Sequence, residues 1–228
     1  MTARLIGSKE IAPQVRHFVF EAQDGPLQYI PGQFVSFVHV IDGKAITRAY
    51  SIASAPRAGN RFDLCLNRVE GGHLSPFLFD MQPGDTIQMT PPLGTFVLRD
   101  QPRDSILIAT GTGIAPFRAF LEAHLHEGSP GFTLLFGVRN ELNMLFRSEF
   151  EAFCTLNPHF RFWPTLSRPD SSWNGLKGHV QNHLEAAIGG RRDIDFYLCG
   201  LKAMVDDVRG ILKGMGFDRK QIRYEKYD

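Results

Sequence analysis

The hydrophobic period of this chain changes once, near Asp100-Gln101-Pro102-Arg103, and that change limits what it can fold into. Before it, short β-rich runs follow one another: Val15 to Phe20, Gln33 to Val40, Thr47 to Ser51, Phe62 to Val69, Thr86 to Thr90 and Thr95 to Leu98. Pro31-Gly32, Asp42-Gly43, Gly71-Gly72 and Pro83-Gly84-Asp85 separate them as turns. Short strands at this spacing predict an antiparallel barrel. After Pro102 a continuous apolar run, Ser105 to Thr110, is followed by a helical stretch from Ala115 to His126, with Phe117, Phe120, Leu121 and Leu125 at helical spacing. The alternation goes on through strand Thr133 to Phe136, helix Phe146 to Phe153, strand Phe160 to Leu166, helix Val180 to Ile188, strand Phe196 to Cys199, helix Ala203 to Met215 and strand Ile222 to Tyr224. A βα series of this kind predicts a parallel sheet with helices on both faces. The chain therefore divides into a barrel over 1–101 and an α/β domain over 102–228.

Charge does not announce a partner. With 25 Lys plus Arg against 24 Asp plus Glu, nine of each sign falling before Gln101, neither half carries a field suited to nucleic acid or an anionic membrane. Cys65, Cys154 and Cys199 are odd in number and widely spaced, which argues against a disulfide framework, a zinc site or an iron–sulfur cluster and fits a reducing compartment. The first residues lack the apolar core of a signal peptide, and no run is long enough to span a bilayer, so a cytoplasmic protein with no bound metal is expected.

Four stretches carry candidate chemistry. Arg48-Ala49-Tyr50-Ser51, on a strand closed by Pro56, sets a fixed cation and an aromatic ring on one face. Alone, it reads equally well as an edge strand with a surface ion pair. Gly71-Gly72-His73-Leu74-Ser75-Pro76 frees backbone N–H groups just before a serine placed to cap a helix starting at Pro76, an arrangement that suits an anion, or a plain hairpin turn feeding a helix. Gly111-Thr112-Gly113-Ile114-Ala115-Pro116 follows the first strand of the parallel sheet, where nucleotide phosphates bind, although Pro116 stands in the place of the third glycine of the dinucleotide fingerprint. At a later strand end, Cys199-Gly200 with Lys202 and Met204 faces the same crevice, with Cys199 favoured as a buried small hydrophobe. Neither G-x-S-x-G nor H-E-x-x-H occurs, and the scattered histidines have no ligand spacing.

With these pieces in order, the chain resembles the ferredoxin–NADP reductase family, most closely its short bacterial members, over essentially its whole length. Arg48-Ala49-Tyr50-Ser51 resembles the family's R-x-Y-S flavin motif, Gly72-His73-Leu74-Ser75 its pyrophosphate turn, Gly111 to Pro116 its nicotinamide-nucleotide loop, and Cys199-Gly200 with Met204 its C-G-x-x-x-M. The resemblance implies an FAD-binding barrel followed by an NADP-binding α/β domain. It implies that Arg48 pairs with the FAD pyrophosphate, Tyr50 stacks on the flavin and Ser51 lies near its N5. Ala49, Cys65, Gly72, His73, Leu74 and Ser75 contribute mainly backbone contacts, and Thr112 lies against the flavin edge. Gly111, Thr112, Gly113, Pro116, Gly200 and Met204 border the nucleotide, and Cys199 lines the meeting point of nicotinamide and flavin.

Arg139 and the pair Ser167-Arg168 match positions that bind the 2′-phosphate in NADP-preferring relatives, with His179, beside Lys177, in the place of a further basic residue. An acid there would favour NAD instead. Tyr227 matches the ring that covers the flavin and Glu225 lies near the nicotinamide site; with Asp228 after it, displacement of Tyr227, or Tyr224 in its place, stands as the alternative. The implied reaction passes hydride from NADPH to FAD and single electrons on to a ferredoxin or flavodoxin. An NAD(P)H:flavin reductase, the reductase component of an oxygenase and a flavin-binding electron-transfer subunit stand as alternatives.

Overall fold

The computed structural model describes residues 1–41 and 43–227; Asp42, in the expected Asp42-Gly43 turn, and the terminal Asp228 lie outside the described residues. The chain resolves into two compact units, one formed by 1–98 with 115–123 and the other by 99–114 with 124–227.

The first unit contains β1 (Thr2–Ala12), β2 (Val15–Ala22), β3 (Phe34–Ile41), β4 (Lys44–Ser51), β5 (Arg61–Asn67), α1 (Leu74–Asp80) and β6 (Thr86–Met89). The strands pair antiparallel in the order β4-β3-β6-β1-β2-β5. An antiparallel bridge between Ile52 and Leu64 joins the chain leaving β4 to β5 and closes the ring. Period-two alternation directs Phe18 and Phe20 of β2 inward to meet Phe37 and Phe62, with ring centroids 5.0 Å apart for Phe20–Phe37 and 5.8 Å for Phe20–Phe62.

Two segments depart from the sequence expectation. Strand β1 was hidden by its own pattern: a register shift between Leu5 and Gly7 breaks the alternation, and Lys9 and Glu10 are exposed. Thr95 to Leu98, expected as a strand, joins no ladder. Its alternation is nonetheless used, because Phe96 is buried at 5.9 Å from both Phe117 and Phe120 of the helix α2 (Ala115–His124). Gly32, at φ 96°, lies under the same rings, and a Cβ there would meet the Phe96 carbonyl oxygen at 2.0 Å.

The second unit contains β7 (Ser105–Thr110), β8 (Phe132–Val138), α3 (Arg147–Leu156), β9 (Phe160–Leu166), β10 (Leu176–Lys177), α4 (Leu184–Ile188), β11 (Asp195–Leu201), α5 (Lys202–Gly214) and β12 (Ile222–Tyr227). Its strands are all parallel in the order β10-β9-β8-β7-β11-β12. Ile106 to Ala109 of β7 are wholly buried, as a central strand covered on both faces requires. The helix expected over Val180 to Ile188 is a 3-10 turn, Val180–His183, running into α4. The strand order reverses its direction of growth between β7 and β11, the place where open α/β sheets take ligands.

Candidate functional site

In the first unit, β4 is the rim strand whose outer side carries the candidate flavin residues. Arg48 is exposed and its Nη1 donates to its own neighbour, the Thr47 carbonyl, at 2.8 Å, so the cation stands over the strand without a carboxylate partner among the described residues. Ala49 is exposed, and Tyr50 is half-buried with its ring 5.9 Å from that of Phe37. Burial pushes the Tyr50 phenol up to about 12, so the hydroxyl stays protonated at any physiological pH. Ser51 is buried at the strand end. The bridge between Ile52 and Leu64 brings the buried Cys65 to the same seam, where burial pushes its thiol up to about 12. Helix α1, which carries Leu74 and Ser75, packs against β4.

The turn into α1 differs in detail from the expectation. Helix α1 begins at Leu74, not Pro76, and its N-cap residue is His73, with no side-chain cap bond. The Ser75 hydroxyl does not cap: it accepts the Val69 amide at 2.9 Å, while the Gly72 amide donates to the Val69 carbonyl at 3.0 Å. The serine thus ties down the turn from inside the helix, because its buried position leaves the Val69 N–H as the donor in reach.

Apart from Pro116, which belongs to the first unit, the remaining candidates lie in the second unit, toward the carboxyl edge of its parallel sheet. Gly111 to Ile114 form a 3-10 turn after β7, with Gly111 at φ 52° and Thr112 half-buried. Gly113 is pressed on β11: a Cβ there would stand 2.3 Å from the Cys199 carbonyl oxygen. The close approach normally provided by a third fingerprint glycine is made here by Gly113, which leaves Pro116 free to occupy the first turn of α2, where no N–H is needed. Thr110 was missed by the sequence reasoning. Its hydroxyl accepts the Leu201 amide at 3.2 Å and would clash with any Cβ at Gly200, so it locks the ends of β7 and β11 together.

Arg139 follows β8 and Ser167-Arg168 follows β9. The two loops are joined by backbone hydrogen bonds, Ser167 N–H to Val138 C=O at 3.0 Å and Arg168 N–H to Arg139 C=O at 2.8 Å. Both arginines are exposed and, among the described residues, neither has a carboxylate partner. His179 is exposed after β10 and precedes the 3-10 turn. A second residue not foreseen, His183, braces this edge: its Nε2 lies 3.1 Å from both the Thr165 hydroxyl and the Lys177 carbonyl, while Thr165 donates to the Gly178 carbonyl at 2.9 Å.

Cys199 is wholly buried at the end of β11, in register with Glu225 of β12. Burial pushes its thiol well above the usual range and Glu225 adds to this, against a hydrogen bond from the Tyr227 side chain that lowers it. The side chain is therefore a neutral thiol, unsuited to nucleophilic attack. Met204, on the first turn of α5, is buried in the core beneath the edge. Among the described residues no three His, Cys, Asp or Glu side chains cluster as a metal site, and no helix is long and apolar enough to cross a membrane.

Residues 2–98 match the family described as the oxidoreductase FAD-binding domain, and residues 107–210 match the oxidoreductase NAD-binding domain. The chain is 39% identical to ferredoxin–NADP reductase B of Sorangium cellulosum, over 99% of this chain and 97% of that one. The chain belongs to the ferredoxin–NADP reductase family. This reductase is an FAD- and nicotinamide-nucleotide-binding oxidoreductase. It is also 32% identical to the toluate 1,2-dioxygenase electron transfer component of Pseudomonas putida, over 88% of this chain but only 59% of that protein. Its fold is shared by a ferredoxin NADP+ reductase of Neisseria gonorrhoeae, with a TM-score of 0.86 at 24% identity over 99% of this chain and 98% of the other.

Proposed function

We propose that this reductase oxidises NADPH through a tightly held FAD and passes single electrons to a small acceptor protein, a ferredoxin or flavodoxin, in the cytoplasm. The observation that carries the nucleotide preference is the pairing of the Arg139 and Arg168 loops. Two exposed guanidinium groups and the Ser167 hydroxyl share one end of the sheet, neither guanidinium paired with a carboxylate among the described residues, a donor set that suits a phosphate monoester and would be superfluous for a bare ribose. His179 supplies a further contact. The Sorangium relative, named for ferredoxin and NADP, supports the same reading.

The functional division is taken as an FAD-binding domain over 1–101 and an NADP-binding domain over 102–228. When bound, FAD accepts a hydride equivalent from reduced nicotinamide and returns its electrons one at a time. The chain's own residues bind and orient. Arg48 neutralises the FAD pyrophosphate, with the amides of Gly72, His73, Leu74 and Ser75 beside it. Tyr50 would stack on the flavin ring, Ala49 and Cys65 would offer backbone contacts, and Ser51 would lie near flavin N5. Gly111, Thr112, Gly113, Pro116 and Gly200 border the dinucleotide, while Met204 supports that edge from the core. The neutral Cys199 thiol, with Glu225 next to it, packs where the nicotinamide is placed, and Tyr227 serves as the covering aromatic. None of these groups needs to be a nucleophile.

The test is the as-purified protein. A yellow protein that keeps FAD through dialysis and reduces a dye faster with NADPH than with NADH supports the reading; a colourless one makes flavin a substrate, as in a flavin reductase. A second reading, the reductase of an oxygenase, draws on the toluate dioxygenase relative. Cytochrome c reduction that depends on added ferredoxin or flavodoxin, and not on an oxygenase component, separates the two.

A further inference from the structure

Directly after the Arg48 to Ser51 strand, the four residues Ile52 to Ala55 have no strand partner beyond one bridge, yet every one is held. The Ile52 amide donates to the Gln33 carbonyl at 2.9 Å and the Ala53 amide to the Asp63 carbonyl at 2.8 Å. The Ala53 carbonyl accepts from Arg118 Nη1 at 2.6 Å. The Ser54 hydroxyl accepts the Asp63 amide at 3.0 Å, and the Tyr29 hydroxyl reaches the Ala55 carbonyl at 2.8 Å. The Ala55 amide donates to Glu122 Oε2 at 2.7 Å.

Two of these anchors come from α2 and are charged, Arg118 buried and Glu122 half-buried. Arg118, on the turn after Pro116, is 8% exposed, and its guanidinium also meets Asp63 at 3.1 Å and Glu122 at 2.7 Å. Asp63, 1% exposed, collects His17 at 2.9 Å and Arg57 on the same oxygen as Arg118. Burying the Arg118 guanidinium and the Asp63 carboxylate is costly, and hydrophobic residues of the same shape would hold the helix as well or better. What apolar packing cannot do is grip a backbone carbonyl and a backbone amide two residues apart at fixed positions. Here the grip falls immediately beyond Ser51.

We propose that Arg118 and Glu122, set in place by Asp63, are positioning residues for the flavin-bearing strand: they fix the Ile52 to Ala55 backbone and through it the attitude of Tyr50 and Ser51 toward the flavin. The proposal rests on the flavin site proposed above. None of the three residues touches the cofactor in this assignment, and their effect is on how well the reacting atoms are aligned.

Glu122 is the residue to change, because its side chain is 22% exposed and its loss leaves the core filled. Glu122→Gln keeps an acceptor for the Ala55 amide, whereas Glu122→Ala removes it. The comparison is made on FAD-loaded protein by stopped-flow reduction at saturating NADPH, with the visible circular dichroism of the bound flavin and FAD retention as parallel readings. Leu5→Ala, in the barrel core away from α2, provides a variant of lowered Tm as control. The expected result is that Glu122→Ala slows flavin reduction about 10-fold or more at an unchanged NADPH dissociation constant, alters the flavin dichroism or releases FAD, and that Glu122→Gln restores most of the loss. Wild-type reduction rate, dichroism and retention in Glu122→Ala, or the same losses in Leu5→Ala at equal Tm, overturn the proposal. A wild type that holds no FAD refutes instead the functional reading on which it rests.

Discussion

The amide of Arg168 donates to the carbonyl of Arg139 at 2.8 Å, so two cationic side chains distant in sequence leave neighbouring loops at one end of the parallel sheet. Arg168→Glu should raise the KM for NADPH about 10-fold to 100-fold, the worth of one charge-assisted hydrogen bond to a phosphate, and leave NADH nearly unchanged. Steady-state kinetics with the two nucleotides decides it; equal losses for both would remove the phosphate from the assignment.

The Tyr50 ring is half-buried and tilted at 52° to that of Phe37, 5.9 Å away. Tyr50→Ala should release FAD during dialysis, while Tyr50→Phe keeps it, because the ring rather than the hydroxyl does the stacking. With its phenol at about 12, alkaline titration to pH 10 should leave flavin retention flat. Retention in Tyr50→Ala equal to wild type would make the ring purely a barrel residue.

Asp63 gives the barrel an acid-sensitive step. Burial alone would raise its carboxyl, but hydrogen bonds from His17 and Arg57 outweigh that and hold it at about 2, below its ordinary 3.8. A depressed folded value contributes stability above the unfolded value and loses it as pH falls through the folded one. Between pH 4 and pH 2 this one group should therefore withdraw about 2 kcal/mol. Denaturant melts across that range should show the step in wild type and not in Asp63→Asn.

Gly113 has the Cys199 carbonyl where a methyl would go. Gly113→Ala should destabilise the fold by about 1–3 kcal/mol through forced backbone movement and weaken nucleotide binding together with it. Gly111→Ala, with open space around its Cβ, should cost less in packing despite its positive φ. Chemical denaturation of the two variants makes the comparison.

The three thiols should differ toward alkylation at neutral pH. Cys65 and Cys199 are buried, whereas Cys154 is half-exposed and the least protected. Mass spectrometry after brief iodoacetamide treatment should find Cys154 modified first. Early modification of Cys199 would contradict its neutral, buried setting.

The parallel half was legible at its centre, where Ser105 to Thr110 is buried on both faces, reads as an almost unbroken apolar run and matches β7 residue for residue; Phe160 to Leu166 also matches β9, although Arg161 in it is exposed. The barrel was less so. Its strands are judged by alternation alone, and β1 loses that signal where the register shifts near Gly7, while Phe96 and Leu98 alternate for packing without a ladder. At the candidate site, glycine loops and arginines could be found by type and spacing. Thr110, His183, Arg118 and Glu122 could not, since each acts on a backbone group brought close only by the fold.

Helix α2 lies beyond β7 in the chain yet belongs to the unit of the barrel, supplying Phe117 and Phe120 against Phe96. During synthesis the barrel strands are therefore complete long before their last covering piece is made. Until residue 123 has cleared the ribosome, Phe96 has no rings to rest on and the Ala53 carbonyl has no guanidinium. The first unit to be translated can finish folding only after the second has begun.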